Sequence, residues 1–163
     1  EKKIGVEAVN VDGLMIHEVD NEIYYYDENN KKQTLYKSHE PEMKYRNIRG
    51  VKVCYEGDRI WIPDDDLMYS NGWIYFYEVR DVFKNGELDY NYTYAKRVNI
   101  ETGSSETIDY KDIGLLGFFI LNDGRILLED GNDLVYDPYK EKLIENAGIN
   151  ESEKEYCIYT TDK

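Results

Sequence analysis

The sequence is poor in the residues from which most nucleophilic and zinc sites are built. Only two histidines, His17 and His39, and two cysteines, Cys54 and Cys157, occur among 163 residues. No nucleophile elbow or catalytic-cysteine context surrounds them, and the cysteines fit no metal-ligand spacing. We therefore expect ordinary strand or loop histidines. Two buried thiols and a disulfide both remain open for the cysteines.

Long apolar runs are absent as well. The longest, residues 115–121, has the length of a strand, whereas a membrane-spanning helix needs about 20 apolar residues. Glycines occur singly in turns, and no strand leads through a glycine-rich loop into a helix. The sequence therefore predicts no membrane span, no phosphate-binding loop and no cofactor.

Positive charge is scarce relative to negative charge. The chain has 34 Asp and Glu against 20 Lys and Arg, a net charge of -14. A field of that sign repels phosphate, so we expect no nucleic-acid partner. The acidic residues are spread over turns, which is typical of a solubilising surface. Attraction of cations or of a basic partner is the alternative.

Some of these acidic turns are rich enough in oxygen to suggest calcium. The best candidates are Asp130 and Asp133, in the turn 129–133. Neither this turn nor the others has the ligand spacing of an EF-hand, and Asp and Asn also form turns without any metal. We therefore expect structural turns and no metal site, with Asp130 and Asp133 as the calcium alternative.

Tyrosine is the residue in excess, with 17 Tyr against 4 Phe. Tyrosine suits a half-buried pleated surface, because its ring packs while its hydroxyl stays hydrated. Short runs of Ile, Val, Tyr, Trp and Leu alternate with polar residues and are separated by turn residues. Such pairs as Asp20-Asn21, Asn71-Gly72 and Asn85-Gly86 suit tight hairpin turns, and Glu56-Gly57-Asp58 also has turn chemistry. No stretch predicts a helix longer than one turn, so we expect an all-β fold.

A strand, an acidic residue and a polar turn recur along the chain. Glu101 and Asp137 lie 36 positions apart, Asp27 and Glu101 lie about two such periods apart, and a weak copy falls at Asp64. A period near 36 with four antiparallel strands per unit is typical of β-propeller blades. We predict a single domain, 1–163, either complete or part of a larger ring, with a β-sandwich of degenerate hairpins as the alternative. The predicted units are 1–39, 40–70, 71–110 and 111–146, followed by a terminal strand within 147–163.

Three segments carry a family resemblance. Asn71-Gly-Trp-Ile-Tyr-Phe, followed by Ala95-Lys-Arg-Val-Asn-Ile-Glu-Thr-Gly-Ser, resembles the bacterial tyrosine-rich propeller repeats, which are distantly similar to the YWTD blades of the low-density lipoprotein receptor. Val135-Tyr-Asp-Pro-Tyr is similar to a step of kelch-type blades. The resemblance covers about half of the chain and lacks the tyr-trp-thr-asp tetrapeptide. It implies a propeller fold and often a secreted or surface protein, but no chemistry.

Two groups of aromatic residues each share one strand face, because their members lie two positions apart. The groups are Tyr90, Tyr92 and Tyr94, and Trp73, Tyr75 and Tyr77. Exposed Tyr and Trp form protein hot spots or sugar-stacking platforms, and the expanded connection 81–90 predicts a loop beside the first group. Tyr90, Tyr92, Tyr94 and Trp73 are therefore the candidate binding residues, with core packing as the alternative.

No catalytic set emerges, so we expect a non-enzymatic protein-binding or scaffold module of a secreted or surface-attached bacterial protein. The alternative is a carbohydrate-binding or carbohydrate-active protein that uses tyrosine platforms and acidic rims. Because the chain starts at Glu1 without Met, we expect a processed or trimmed chain. The expected location is extracellular or cell-surface, with the cytoplasm as the alternative. The expected partner is a protein or a glycan, and the sequence does not indicate an oligomeric state.

Overall fold

The regular structure of the chain is antiparallel β-sheet. In a computed structural model, none of the described residues is helical, and the predicted all-β class is confirmed. The described strands form three sheets, here named the N-terminal, central and C-terminal sheets. The structure describes residues 8–11, 13–39, 42–63, 67–111, 118–121, 123–128, 134–145, 147–149 and 154–155.

The N-terminal sheet is a meander in which each strand pairs with the next. Its strands are β1 (Ala8–Val11), β2 (Leu14–Val19), β3 (Glu22–Tyr26) and β4 (Lys32–Lys37). Asp20 and Asn21 join β2 to β3, with φ of 52° and 65°. Asn and Asp tolerate positive φ better than most residues, so the predicted two-residue turn is confirmed.

The central sheet is built on two long strands. Its members are β5 (Met43–Ile48), β6 (Val51–Trp61), β7 (Met68–Ser70), β8 (Trp73–Lys84), β9 (Glu87–Asn99) and β10 (Ser105–Lys111). The order is β10-β9-β8-β6-β5, and β7 pairs with the first residues of β8. We call residues 73–78 and 94–99, with β7 and β10, the proximal half. The distal half comprises residues 79–84 and 87–93, with β5 and β6.

The C-terminal sheet has the order β14-β13-β12-β11-β15. Its strands are β11 (Phe118–Leu121), β12 (Ile126–Leu128), β13 (Leu134–Asp137), β14 (Lys142–Ile144) and β15 (Lys154–Glu155). Strands β11 to β14 form a second simple meander. The described part of the predicted terminal strand, β15, pairs antiparallel with β11.

The three sheets stack face to face, with the central sheet in the middle. Ile74 and Phe76 of β8 pack on the N-terminal sheet through Ile16 and Ile23. Tyr75 and Tyr77 point the opposite way and pack on the C-terminal sheet. The proximal half of the central sheet is therefore buried on both faces, as expected for a strand in the middle layer. The partners of Tyr75 and Tyr77 include Met68, Ala95, Ile126, Leu128, Leu134 and Tyr136.

A buried arginine lies between the central and C-terminal sheets. Arg97 is 2 % exposed, its guanidinium lies 3.8 Å from the ring centre of Trp73, and it pairs with Glu106. It also lies 3.8 Å from Glu141, on the turn before β14. Stacking and ion pairing together offset the desolvation of this cation, so Arg97 links the two sheets.

The residues that accept the turn hydrogen bonds differ in one place from those that the acidic pattern predicts. Asp27 and Asp137 each accept hydrogen bonds from two backbone N–H groups of the turn between the third and fourth strands of their meanders. In the central sheet the acceptor of the two corresponding hydrogen bonds is Asn99. The predicted residue, Glu101, lies two positions further along the chain. The acidic pattern was misleading because Asn and Asp form the same turn. The weak copy at Asp64 lies outside the described residues.

Three further sequence expectations are wrong. Glu56-Gly57-Asp58 is not a turn, because it lies inside β6, where Gly57 has φ of 126° and a Cβ would lie 1.9 Å from the carbonyl oxygen of Glu42. The connection 81–90 is not a loop, because β8 and β9 stay paired up to the turn at Asn85 and Gly86. The described strands of the predicted unit 40–70 likewise form no separate sheet, since β5, β6 and β7 all join the central one.

Candidate binding surfaces

The distal half of the central sheet extends beyond the N-terminal sheet. The β8 face that packs inward through Ile74 and Phe76 continues with Glu78, Arg80 and Val82. Burial along β8 falls from full at Phe76 to partial at Arg80 and Val82. The end of the N-terminal sheet therefore forms a step above the floor of the central sheet.

An open cleft of about 430 Å³ lies at this step. His39 and Glu42, from the connection between β4 and β5, form one side, and the central sheet forms the floor. The predicted residue Tyr94 is part of that floor. The cleft is lined by His39, Glu42, Asp58, Ile60, Glu78, Arg80, Tyr94, Lys96 and Thr107.

Glu78 anchors the inner end of the cleft and is 5 % exposed. Ser38 Oγ donates to Glu78 Oε2 at 2.6 Å, and the Tyr36 hydroxyl donates to the same oxygen. Lys96 Nζ lies 2.9 Å from Oε1 and donates to the Tyr36 hydroxyl at 3.1 Å. Burial of Tyr36, together with its hydrogen bond to Glu78, raises the pKa of the Tyr36 hydroxyl far above its usual value. The network joins β4 to the central sheet.

Arg80 and Asp58 form the outer ion pair of the cleft. Arg80 Nε donates to Asp58 Oδ2 at 2.8 Å, and Nη2 contacts the same oxygen. This bond raises the pKa of Arg80, and a further hydrogen bond links Arg80 to Tyr94. Both charges are partly exposed, so the pair adds at most about 1 kcal/mol of stability. Its main effect is to hold Arg80 in place.

Three predicted tyrosines form a continuous row that starts in the cleft. The ring centres of Tyr94 and Tyr92 are 6.4 Å apart, and those of Tyr92 and Tyr90 are 5.1 Å apart. They lie opposite Glu78, Arg80 and Val82 on the neighbouring strand. Tyr94 and Tyr92 are half-buried and Tyr90 is 47 % exposed. We call these three residues the tyrosine row.

The fourth predicted residue, Trp73, lies elsewhere. It pairs with Asn99 at the proximal end of β8, packs against the cluster between the central and C-terminal sheets, and stacks under Arg97. The structure therefore brings Tyr90, Tyr92 and Tyr94 together and leaves Trp73 in core packing.

A second surface, which the sequence reasoning missed, is the β5–β6 hairpin. Residues 43–55, here named the basic hairpin, contain four cations and no Asp or Glu, although the whole chain has a net charge of -14. Arg49 and Gly50 form its turn, with φ of 52° and 79°, and Gly50 N donates to Asn47 Oδ1 at 2.9 Å. The sequence shows this local excess of positive charge, but the net charge of the whole chain conceals it. The cations are Lys44, Arg46, Arg49 and Lys52.

The basic hairpin projects beyond its neighbours. The turn between β8 and β9 meets it where Gly86 N donates to Tyr55 O at 2.9 Å, so the tip extends roughly 15 Å further at about 3.3 Å per residue. Ile48 and Val51 are 51 % and 61 % exposed there. This part of the hairpin therefore has little core of its own and presents apolar and cationic side chains to solvent.

Cation–π contacts order two of the hairpin cations. The Arg46 guanidinium lies 3.5 Å from the ring centre of Tyr55, and Lys52 Nζ lies 4.2 Å from that of Tyr45. Such contacts position a cation without neutralising it. None of the four hairpin cations forms an ion pair with a described residue.

The remaining sequence candidates contribute no site to the described regions. His17 lies on β2 and stacks on Tyr24, and burial lowers its pKa. Cys54 is a free thiol on β6, whereas Cys157, Asp130 and Asp133 lie outside the described residues. No group of three or more His, Cys, Asp or Glu side chains that could hold a metal occurs among the described residues. The same part of the chain contains no helix long and apolar enough to cross a membrane.

Comparisons with known proteins identify no relative. No protein-family model, no curated protein and no solved structure matches the chain. The resemblance to tyrosine-rich propeller repeats therefore stays an expectation, and function is inferred from the residues alone.

Proposed function

We propose that the chain is a non-enzymatic protein-binding module whose basic hairpin docks an acidic partner protein. The local reversal of charge carries this proposal. Four cations project on a two-stranded element, and the rest of the chain is strongly acidic. Over a Debye length of about 8–10 Å, nearby charges dominate the field, so the tip attracts anionic groups despite the net charge.

The exposed side chains of the basic hairpin suit a protein partner. Ile48, Val51 and Tyr45 supply apolar and aromatic contact area beside the cations. Protein interfaces combine such a central apolar patch with charges that set specificity and association rate. The stacked cations are also partly ordered before binding, which lowers the entropy lost on docking.

The backbone of β5 offers a second recognition element. Among the described strands, β5 pairs with β6 and has no strand on its other side. An extended peptide can add to such an edge through main-chain hydrogen bonds. Lys44 and Arg46 make two copies of this edge repel each other. An acidic segment meets no such repulsion, so an acidic strand is the favoured occupant of the β5 edge.

Fluorescence anisotropy tests the proposal with a fluorescein-labelled peptide of alternating Glu and Thr. We expect saturable binding that weakens with salt, and a roughly tenfold weaker affinity in the double variant Lys44→Glu, Arg49→Glu. Lys140→Glu with Lys142→Glu makes the same charge change at two exposed positions, in the turn before β14 and at the start of β14, and is the matched control. The absence of binding, an equal loss in the control, or tighter binding of labelled single-stranded DNA would each overturn the proposal.

We also propose that the three sheets are blades of a propeller. Three consecutive four-stranded meanders, β1–β4, β7–β10 and β11–β14, support this, as does the shared turn acceptor at Asp27, Asn99 and Asp137. The β5–β6 hairpin is then an insertion before the second blade. A crystal structure should show successive sheets rotated about one common axis, and parallel layers without such an axis would favour the β-sandwich.

An extracellular or cell-surface location belongs to the same proposal and rests on the sequence resemblance. Antibody labelling of intact and permeabilised cells of the source bacterium tests it. Equal labelling of both preparations is expected, whereas signal confined to permeabilised cells would place the protein inside.

A further inference from the structure

We propose that the cleft and the tyrosine row form a second, separate site that binds a neutral oligosaccharide. This inference does not depend on the basic hairpin. It rests on three features of the region where the two halves of the central sheet meet: the shape of the cleft, the pairing of its charges and the continuous aromatic row that leads from it into the distal half.

The shape fits a short chain of linked rings. The cleft volume of about 430 Å³ lies in the range of small-molecule sites. From Tyr94 to Tyr90 the row continues the floor for roughly 13 Å, at about 3.3 Å per strand residue. A ligand that fills the cleft and then follows the row must therefore be elongated, with one end in a polar pocket and a ring-bearing body outside it.

Charge pairing in the cleft favours a neutral ligand. Lys96 is paired with Glu78, and Arg80 is paired with Asp58. Neither cation is left to neutralise an incoming anion, while Glu42 on the rim and the net charge of the chain repel one. Phosphate-bearing and strongly acidic ligands are therefore disfavoured at this site.

The residues of these ion pairs can still form hydrogen bonds with the hydroxyl groups of a ligand. Both contacts from Arg80 use Oδ2 of Asp58, so Oδ1 can still accept a hydrogen bond. The exposed side chains of Thr107 and His39 also line the cleft and can donate and accept hydrogen bonds. Sugar hydroxyls act both as donors and as acceptors, so they match fixed, internally neutralised polar groups better than a single charge does.

Tyrosine rings supply the apolar half of sugar recognition. The faces of pyranose rings carry C–H groups that pack on aromatic rings. Tyr90 presents nearly half of its surface to solvent, and Tyr92 connects it to Tyr94 in the cleft. Since the row is already packed in the free protein, little side-chain conformational freedom is lost on binding.

Isothermal titration calorimetry tests the site with cellohexaose, xylohexaose, mannohexaose, chitohexaose and maltohexaose, and with oligogalacturonate as the acidic probe. We expect at least one neutral oligosaccharide to bind more tightly than the acidic one. Tyr92→Ala and Tyr90→Ala should each weaken that binding, roughly tenfold for Tyr92, which lies at the centre of the row.

Tyr45→Ala is the matched control, because Tyr45 is 48 % exposed against 47 % for Tyr90 but lies on the basic hairpin. It should leave saccharide binding unchanged, as should Lys44→Glu with Arg49→Glu, which separates this site from the docking surface. Unfolding midpoints equal to the wild type confirm that the row variants fold. Failure of all five neutral probes, preference for oligogalacturonate, or an equal loss in Tyr45→Ala would overturn the proposal.

Discussion

The proximal and distal halves of the central sheet share β8 and β9 but differ in what covers them. In the proximal half both faces of β8 are buried, between Ile16 and Ile23 on one side and the C-terminal sheet on the other. In the distal half the same strand carries Arg80 and Val82, which are only half-buried. One pair of strands therefore forms core at one end and, at the other end, a partly open face to which we assign the proposed binding. The following predictions test this division.

The largest effect is expected from truncating a core aromatic residue. Phe76→Ala should lower the free energy of unfolding by about 4 kcal/mol, because Phe76 is fully buried between two sheets. Phe83→Ala, in the half-buried distal part of the same strand, should cost less than half of that. Urea unfolding of both variants measures the difference, and equal costs would show that the distal half is as tightly packed as the proximal half.

Removing the charge of Glu78, at the boundary between the two halves, should lower the stability of the fold strongly. Glu78→Gln leaves Lys96 without its partner and offers Ser38 and Tyr36 a poorer acceptor, so we expect a loss of about 2–3 kcal/mol. Asp58→Asn, at the more exposed pair, should cost less than about 1 kcal/mol. Thermal unfolding of the two variants checks this order, and the reverse order would place the structural anchor at Asp58.

Alkaline pH should weaken the packing of the N-terminal and C-terminal sheets on the proximal half of the central sheet. Burial raises the pKa of Tyr36, and raises that of Tyr136 to about 12. A tyrosine whose pKa is higher in the folded state stabilises the fold fully below its unfolded pKa of about 10, and this contribution is lost as pH rises through the folded value. Urea midpoints should therefore fall between about pH 10 and 12. Tyr36→Phe should flatten that fall, and an unchanged slope would contradict the assignment.

The smallest effect on stability is expected at the tip of the distal half. Arg46→Ala and Lys52→Ala each remove one exposed cation–π contact, so we expect losses of at most about 1 kcal/mol. Equilibrium unfolding should barely separate these variants from the wild type, while the acidic-peptide affinity falls. A loss of several kcal/mol would show instead that the hairpin cations serve folding.

Much of the fold was predictable from local chemistry. Asn85 and Gly86 suit a two-residue turn by their tolerance of positive φ, and the alternation of Trp73, Tyr75 and Tyr77 along β8 correctly indicated a strand. The spacing of two also grouped Tyr90, Tyr92 and Tyr94 on one face, where the structure places them. Such features depend on neighbours in sequence, which a pattern can show.

What the sequence could not show depends on residues that are distant along the chain. The requirement for Gly57 comes from the carbonyl oxygen of Glu42, just before the adjacent strand β5, and Gly57 was predicted as a turn because its backbone freedom suits both roles. The cleft likewise joins Tyr36 and Ser38 to Glu78, about forty positions away. The basic hairpin was missed for a different reason. Its four cations lie close together in sequence, but the net charge of the whole chain conceals them.

The most direct test of the division of the central sheet is an NMR titration of the isotope-labelled protein with the alternating Glu and Thr peptide. Amide shifts should change along the basic hairpin and the β5 edge, while β7, the proximal part of β8 and the C-terminal sheet stay unchanged. Changes centred on the proximal half, or no change at saturating peptide, would contradict the assignment of docking to the distal half.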